Sequence, residues 1–143
     1  ISLILAGEEF LRSKNGCENS YNASYEINEI NYALKVKHFD MFENFQKLIK
    51  FKQEISDLAL EKDENLKLDV KMIDSHILMY ELKDNKHHRI YKVVHANGFN
   101  ENELGSVDLM DYTLYLDTLE PNKKLSTYTK INAFETIIAY KEQ

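Results

Sequence analysis

Leu66-Lys67-Leu68-Asp69-Val70-Lys71-Met72 alternates apolar and charged residues at every step, until Ile73 breaks the rhythm. Successive side chains of an extended chain point to opposite faces, so a period of two predicts a strand with one face on a core and the other in water. His76 to Lys83 and Arg89 to Ala96 read as the next two strands, with Asp84-Asn85-Lys86-His87-His88 as a polar hairpin tip. Asn97-Gly98-Phe99-Asn100-Glu101-Asn102 is turn chemistry, because Asn and Gly accept positive φ at little cost. Val107 to Met110, Tyr112 to Asp117, Lys123 to Tyr128 and Thr136 to Lys141 predict further short strands, with Pro121-Asn122 marking another turn. This spacing predicts an antiparallel β-sandwich.

Towards the N-terminus the period changes. Phe42, Phe45, Leu48, Ile49, Lys52 and Ile55 share one face of a helix predicted over Phe39 to Ile55, with Asp40, Glu43, Lys47 and Lys50 opposite and Asp40 as its N-cap. The aromatic stripe on that helix reads as core packing. Ser56 to Asn65 reads as a connection with a short helical turn over Ser56-Asp57-Leu58-Ala59-Leu60, ending in acidic Glu61-Lys62-Asp63-Glu64. The domain boundary falls within it, giving residues 1–58 and 59–143. Phe10 to Leu34 is a long Asn- and Ser-rich loop, with a helical turn expected around Ile27 to Leu34. Ile1 to Leu5 reads as a buried strand of a parallel sheet, and a chain that opens on such a strand is expected to extend upstream.

Composition narrows the function classes. With 143 residues the chain holds one ordinary domain, or a small domain plus a fragment of another. A net charge of −6 with scattered lysines disfavours nucleic acid, whose phosphates call for a basic patch. No apolar run approaches the ~20 residues of a membrane span. The one cysteine, Cys17, rules out an intramolecular disulfide and a Cys-rich metal site, and is compatible with a cytoplasmic protein.

Sequence order gives the rest. Ala6-Gly7-Glu8-Glu9-Phe10-Leu11-Arg12-Ser13-Lys14-Asn15-Gly16 and Asn19-Ser20-Tyr21-Asn22 resemble the segment after the eighth barrel strand of bacterial type I pullulanases, in the α-amylase superfamily. Leu48-Ile49-Lys50-Phe51-Lys52-Gln53-Glu54 resembles that family's last barrel helix, and Val93-Val94-His95-Ala96-Asn97 a strand of its C-terminal β-domain. The resemblance implies an α+β chain: the terminal strand, loop and helix of a truncated (β/α)8 barrel, followed by an antiparallel β-sandwich. A whole barrel needs ~250 residues. The parent would hydrolyse α-1,6 linkages in pullulan, glycogen or starch-derived dextrins, while this portion lacks the catalytic carboxylates and is expected to be inactive. Its β-domain would stabilise the barrel. No cofactor is implied.

Arg12, Asn19, Tyr21, Asn22 and Asn28 are the candidates for contact with an α-glucan, because barrel enzymes build their sites from loops at the carboxyl ends of the strands. The same residue types also hydrogen-bond a loop's own backbone, and that alternative stays open. Family members commonly carry an aspartate after Asn-Ser-Tyr-Asn and a later Asp-Trp pair, where this chain has Tyr25 and Asn31-Tyr32. Glu8-Glu9 cannot form a catalytic pair if extended, since neighbours on a strand point apart. His87-His88 reads as exposed turn residues, His95 as a packed or edge residue, and Cys17 has no catalytic setting. Asn22-Ala23-Ser24 matches a glycosylation acceptor only by coincidence. Two further readings compete: an autonomous sugar-binding sandwich using Tyr91, Tyr112, Tyr115 and Tyr128, and a fragment that dimerises through the apolar face of its orphaned helix.

Overall fold

The computed structural model describes residues 3–59, 66–85 and 87–143. It divides into two compact units, Ile1–Lys52 and Gln53–Gln143. The expected boundary after residue 58 lies beyond that division, near the end of a long helix.

The first unit is built from short pieces. A 3-10 turn at Glu8–Phe10 is followed by helices α1 (Tyr25–Asn28) and α2 (Ala33–Lys37), and then by α3 (Phe39–Ala59), which runs on past the unit. The predicted long loop is therefore interrupted, and the helical turn expected over Ile27 to Leu34 overlaps the end of α1 and the start of α2, with residues 29–32 between them. Asp40 lies within the first turn of α3 instead of capping it, where its charge still favours the positive helix end. Ser56 to Ala59 are helical as the expected short turn had them, but they continue α3 instead of forming a separate turn in a connection; they contain neither Gly nor Pro to stop it. Leu60 and the acidic segment after it lie outside the described residues. Leu3, Ile4 and Leu5 form no strand and are exposed; a buried strand needs neighbouring strands for its N–H and C=O groups, and among the described residues Leu5 bonds instead to Glu8. Ile1 and Ser2 lie outside the described residues.

The second unit holds one five-stranded antiparallel sheet. Its strands are β1 (Leu66–Met72), β2 (Ile77–Asp84), β3 (Arg89–Ala96), β5 (Thr113–Asp117) and β7 (Thr136–Glu142), in spatial order β1-β2-β3-β7-β5. A separate ladder of two residues per strand joins β4 (Asn102–Glu103) to β6 (Lys130–Ile131). In place of a second full sheet, this ladder and the irregular chain around it form the covering layer. The expected strand at Val107 to Met110 is irregular, and Lys123 to Tyr128 contains a 3-10 turn, Leu125–Thr127. Both stretches supply single apolar anchors rather than a repeating alternation, which suits a cap better than a strand.

Register makes the two faces distinct. Ile77 pairs with Ala96, Met79 with Val94 and Val94 with Ile137, so these side chains share one face with Ala139. Leu104, Leu109 and Ile131 of the covering layer pack onto them, with Tyr112, Leu114 and Tyr128 at the margin. The opposite face collects Leu68, Val70 and Met72 of β1, Leu78, Tyr80 and Leu82 of β2, Tyr91 and Val93 of β3, and Ile138 and Tyr140 of β7. On β1 the charged residues thus point to the covered side's open edge, while Leu68, Val70 and Met72 remain 58%, 49% and 63% exposed.

Candidate functional site

Gly7 fixes the geometry of the candidate loop. It has φ of 98°, and a Cβ there would lie 2.7 Å from Arg12 Cδ, so glycine meets both a backbone and a space requirement. Leu11 adopts a left-handed φ of 61° and turns the chain so that Arg12 N–H donates to Gly7 C=O at 2.9 Å. Each guanidinium nitrogen of Arg12 then donates to a backbone carbonyl: Nη1 to Ala6 at 3.2 Å, Nε to Glu29 at 3.1 Å and Nη2 to Asn28 at 2.5 Å. This one side chain ties the start of the loop to its far end. Charged donors to carbonyls are among the stronger local bonds, at about 1.5–3 kcal/mol net each when shielded and less when exposed as here.

The other candidates divide in two. Asn28 Nδ2 donates to Ser20 C=O at 2.9 Å and Ala23 C=O at 3.3 Å, closing the middle of the loop. Asn19 Oδ1 accepts from Tyr21 N–H at 3.2 Å in an Asx turn. Tyr21 is 94% exposed and Asn22 beside it is also exposed. The structure thus brings Arg12 and Asn28 together within the loop's own bonding, and leaves Tyr21 and Asn22 presented to solvent. A hollow of about 200 Å3 lies among Leu5, Ala6, Glu8, Arg12 and Lys14. Enclosed small-molecule sites usually span about 300–1,000 Å3.

The positions that depart from the pullulanase pattern have local roles. Asn31 Oδ1 accepts from Ala33 N–H at 3.0 Å at the start of α2, and the Tyr32 ring tilts against buried Phe10 at 5.9 Å. Glu8 and Glu9 lie on a 3-10 turn rather than a strand. Their carboxylates accept from Leu5 N–H at 3.1 Å and Gly7 N–H at 2.8 Å, which commits each to the backbone.

In the second unit His87 and His88 are exposed turn residues, and His87 is also tied to the end of β2. Its Nδ1 lies 2.6 Å from Oδ2 of Asp84, whose carboxylate is buried at the end of β2 and also accepts His87 N–H. His95 Nδ1 meets Thr136 Oγ1 at 2.8 Å across the β3–β7 ladder. Cys17 is half-buried, with Sγ 3.5 Å from Asn19 C=O. The tyrosines weighed as sugar platforms are covered: Tyr91 is buried, and Tyr112, Tyr115 and Tyr128 are half-buried. Burial first, then nearby carboxylates, pushes Tyr112 and Tyr115 up to about 12. Lys92 lies 4.5 Å from the Tyr112 ring centroid, and burial holds its ammonium pKa below the usual value.

Sequence reading missed one cluster, that of Asp117, Glu120 and Glu135, in which one carboxylate oxygen from each lies within 4.8 Å of the others. The Asp117-Thr118-Leu119-Glu120 spacing signals an Asx turn, but Glu135 joins it only through the pairing of β5 with β7.

No protein-family profile matches the sequence. Among solved structures, the chain is similar to Bacillus licheniformis trehalose-6-phosphate hydrolase, at a TM-score of 0.57 and 14% identity, over 83% of this chain and 21% of that one. The structure of a mutant of that hydrolase in complex with PNG matches equally, at 0.57 and 14%. The chain therefore spans about a fifth of the length of these hydrolases, and what it shares with them is a fold.

Proposed function

We propose that the chain is the C-terminal portion of an α-amylase-superfamily glycoside hydrolase of the pullulanase type, and that its sheet unit is a non-catalytic domain that covers and stabilises the barrel. The carrying observation is the second sheet face. β1 turns Leu68, Val70 and Met72 outward as a continuous apolar row at about half exposure or more, on an edge strand that otherwise alternates with Lys and Asp. Such a row marks a surface built to be covered, here by the outside of a barrel. The fold shared with part of a trehalose-6-phosphate hydrolase supports this, and the residues resembling a pullulanase barrel terminus favour α-1,6-glucosidic linkages as the parent's substrate. Residues 5–31 would then border an outer sugar subsite, with Tyr21 and Asn22 offering the free phenol and amide. The covered tyrosines speak against the autonomous sugar-binding reading, which needs exposed coplanar rings.

The test is made on the full-length protein that carries this chain. Incubation with pullulan should release maltotriose, and trehalose 6-phosphate should be left intact. Cleavage of trehalose 6-phosphate alone would replace the pullulanase assignment, and cleavage of neither would end the hydrolase reading. Leu68→Lys with Val70→Lys should lower the temperature at which that activity is lost, yet leave the melting temperature of the isolated 143-residue chain unchanged. An equal loss in the isolated chain would mean that the row serves the unit's own core.

A further inference from the structure

Asp117 ends β5 and Glu135 immediately precedes β7, and the pairing of Asp117 with Ile137 brings the two carboxylates to the same end of the sheet. Both are buried, at 1% and 0% exposure. Removing two carboxylates from water is costly unless their oxygens find donors or a cation. Three of the four oxygens are accounted for. Asp117 Oδ1 accepts from the N–H groups of Leu119 at 2.8 Å and Glu120 at 2.9 Å, and Oδ2 accepts from the Tyr128 phenol. Glu135 Oε2 accepts from Asn132 N–H at 2.6 Å and Asn132 Nδ2 at 2.9 Å. Glu135 Oε1 has no hydrogen-bond partner, and among the described residues it is the one buried side-chain oxygen or nitrogen so left.

The Asx turn of Asp117 carries Glu120 back to the pair, at the solvent side. Carboxylate oxygens of Asp117, Glu120 and Glu135 then fall within 4.8 Å of one another. Oxygens that share one Ca2+ bound at about 2.4 Å are at most about 4.8 Å apart, so this spacing is compatible with a single ion once the three carboxylates close in on it. The positive charge facing this group is Lys123, which bonds Glu120 and lies 4.5 Å from the Tyr128 ring centroid.

We propose that Asp117, Glu120 and Glu135 form a divalent-cation site of Ca2+ type, with Glu135 Oε1 as a ligand reserved for the ion and water completing the shell. Three carboxylates without a regular octahedral frame suit Ca2+, whose coordination is flexible, better than Mg2+, which holds its waters. Binding would free Lys123 from Glu120. It would also tie β5, the 118–135 connection and β7 together.

The chain has no tryptophan, so tyrosine-sensitised Tb3+ luminescence is a clean probe, with the Tyr128 ring beside the site. After dialysis against EDTA, titration with Tb3+ should give one saturable signal, displaced by Ca2+ at concentrations where Mg2+ does not displace it. Ca2+ at a hundredfold excess over its Kd should raise the melting temperature by about 5 °C or more. Glu120→Gln, an exposed substitution that leaves the fold intact, should weaken Tb3+ binding about tenfold or more, and Glu135→Gln should abolish it. A melting temperature indifferent to Ca2+ from pH 5 to 8, or a Glu120→Gln chain that binds Tb3+ as the unchanged chain does, overturns the proposal.

Discussion

The loop of residues 5–31 and the sheet of residues 66–143 are held by different physics. Of the fourteen buried apolar side chains among the described residues, twelve lie in the sheet unit, and only Phe10 and Phe51 lie before residue 53. The sheet closes around contacts distant in sequence: Ile77, Val94 and Ile137 meet Leu104 and Ile131. The loop is closed by hydrogen bonds that converge on Arg12 and Asn28, while Leu5, Leu11, Tyr21 and Tyr25 stay exposed. Apolar burial sustains a cooperative unit, whereas a polar staple shapes a loop without giving it a core. The loop has a form but little apolar core of its own.

The largest effect expected from this difference is at Ile137, which is fully buried at the centre of the sheet cluster. Ile137→Ala should cost the sheet unit about 2–5 kcal/mol in urea unfolding. Phe10→Ala, although it also empties a buried site, should leave the sheet's unfolding midpoint where it was. If both substitutions move that midpoint alike, the two units share one core and the comparison fails.

A second test uses alkali. Tyr112 and Tyr115 both belong to the sheet unit, and their phenols are pushed up to about 12, against about 10 in an unfolded chain. The unfolded state therefore releases these protons first. Their contribution to stability is fully present below about pH 10 and is lost as pH rises towards about 12. The melting temperature should fall by several degrees over that interval. The double substitution Tyr112→Phe, Tyr115→Phe should flatten the fall; an unchanged slope would place the alkaline sensitivity elsewhere.

A smaller and local effect is expected at Arg12. Arg12→Met keeps the stem but removes the donors to Ala6, Asn28 and Glu29 carbonyls. Amide exchange should accelerate through residues 7–12 and 27–29 by about tenfold or more, as about 1–3 kcal/mol of local bonding is lost. The amides of β3 and β7 should keep their protection. Loss of protection in β3 would show that the staple supports more than its own loop.

Legibility in the sequence followed the same division. Five strands were legible, β1 from its period-two alternation and β2, β3, β5 and β7 as short runs set off by turn residues. The covering layer was misread as strands at Val107 to Met110 and Lys123 to Tyr128, since isolated anchors such as Leu109 and Leu125 resemble a short alternation when sheet partners cannot be seen. In the loop, Arg12 and Asn28 were picked out as polar residues with a task, yet the choice between sugar and backbone could not be made from residue type. Their partners lie up to 17 positions away, at Glu29 for Arg12 and at Ser20 for Asn28. The carboxylate cluster was invisible for the related reason that Glu135 reaches Asp117 only through strand pairing.

The finest test compares two glycines of the same kind, one in each unit. Gly16 has φ of 77° and Gly105 has φ of 56°, and a Cβ on either would meet nothing within 4 Å. Substitution by alanine therefore adds no clash and probes the left-handed conformation alone, a cost of about 1–2 kcal/mol. Asn15 and Gly16 both take positive φ in a turn closed by Cys17 N–H to Lys14 C=O at 2.9 Å, so Gly16→Ala strains only that turn. Gly105 follows Leu104, which is buried in the sheet's core, so the same strain there bears on the cooperative unit. Gly105→Ala should lower the global unfolding midpoint by the full cost, while Gly16→Ala should change only the amide shifts and exchange of residues 14–20. Equal shifts in the global midpoint would mean that the loop unfolds with the sheet, and that a polar staple can join a fold's cooperative unit without a core of its own.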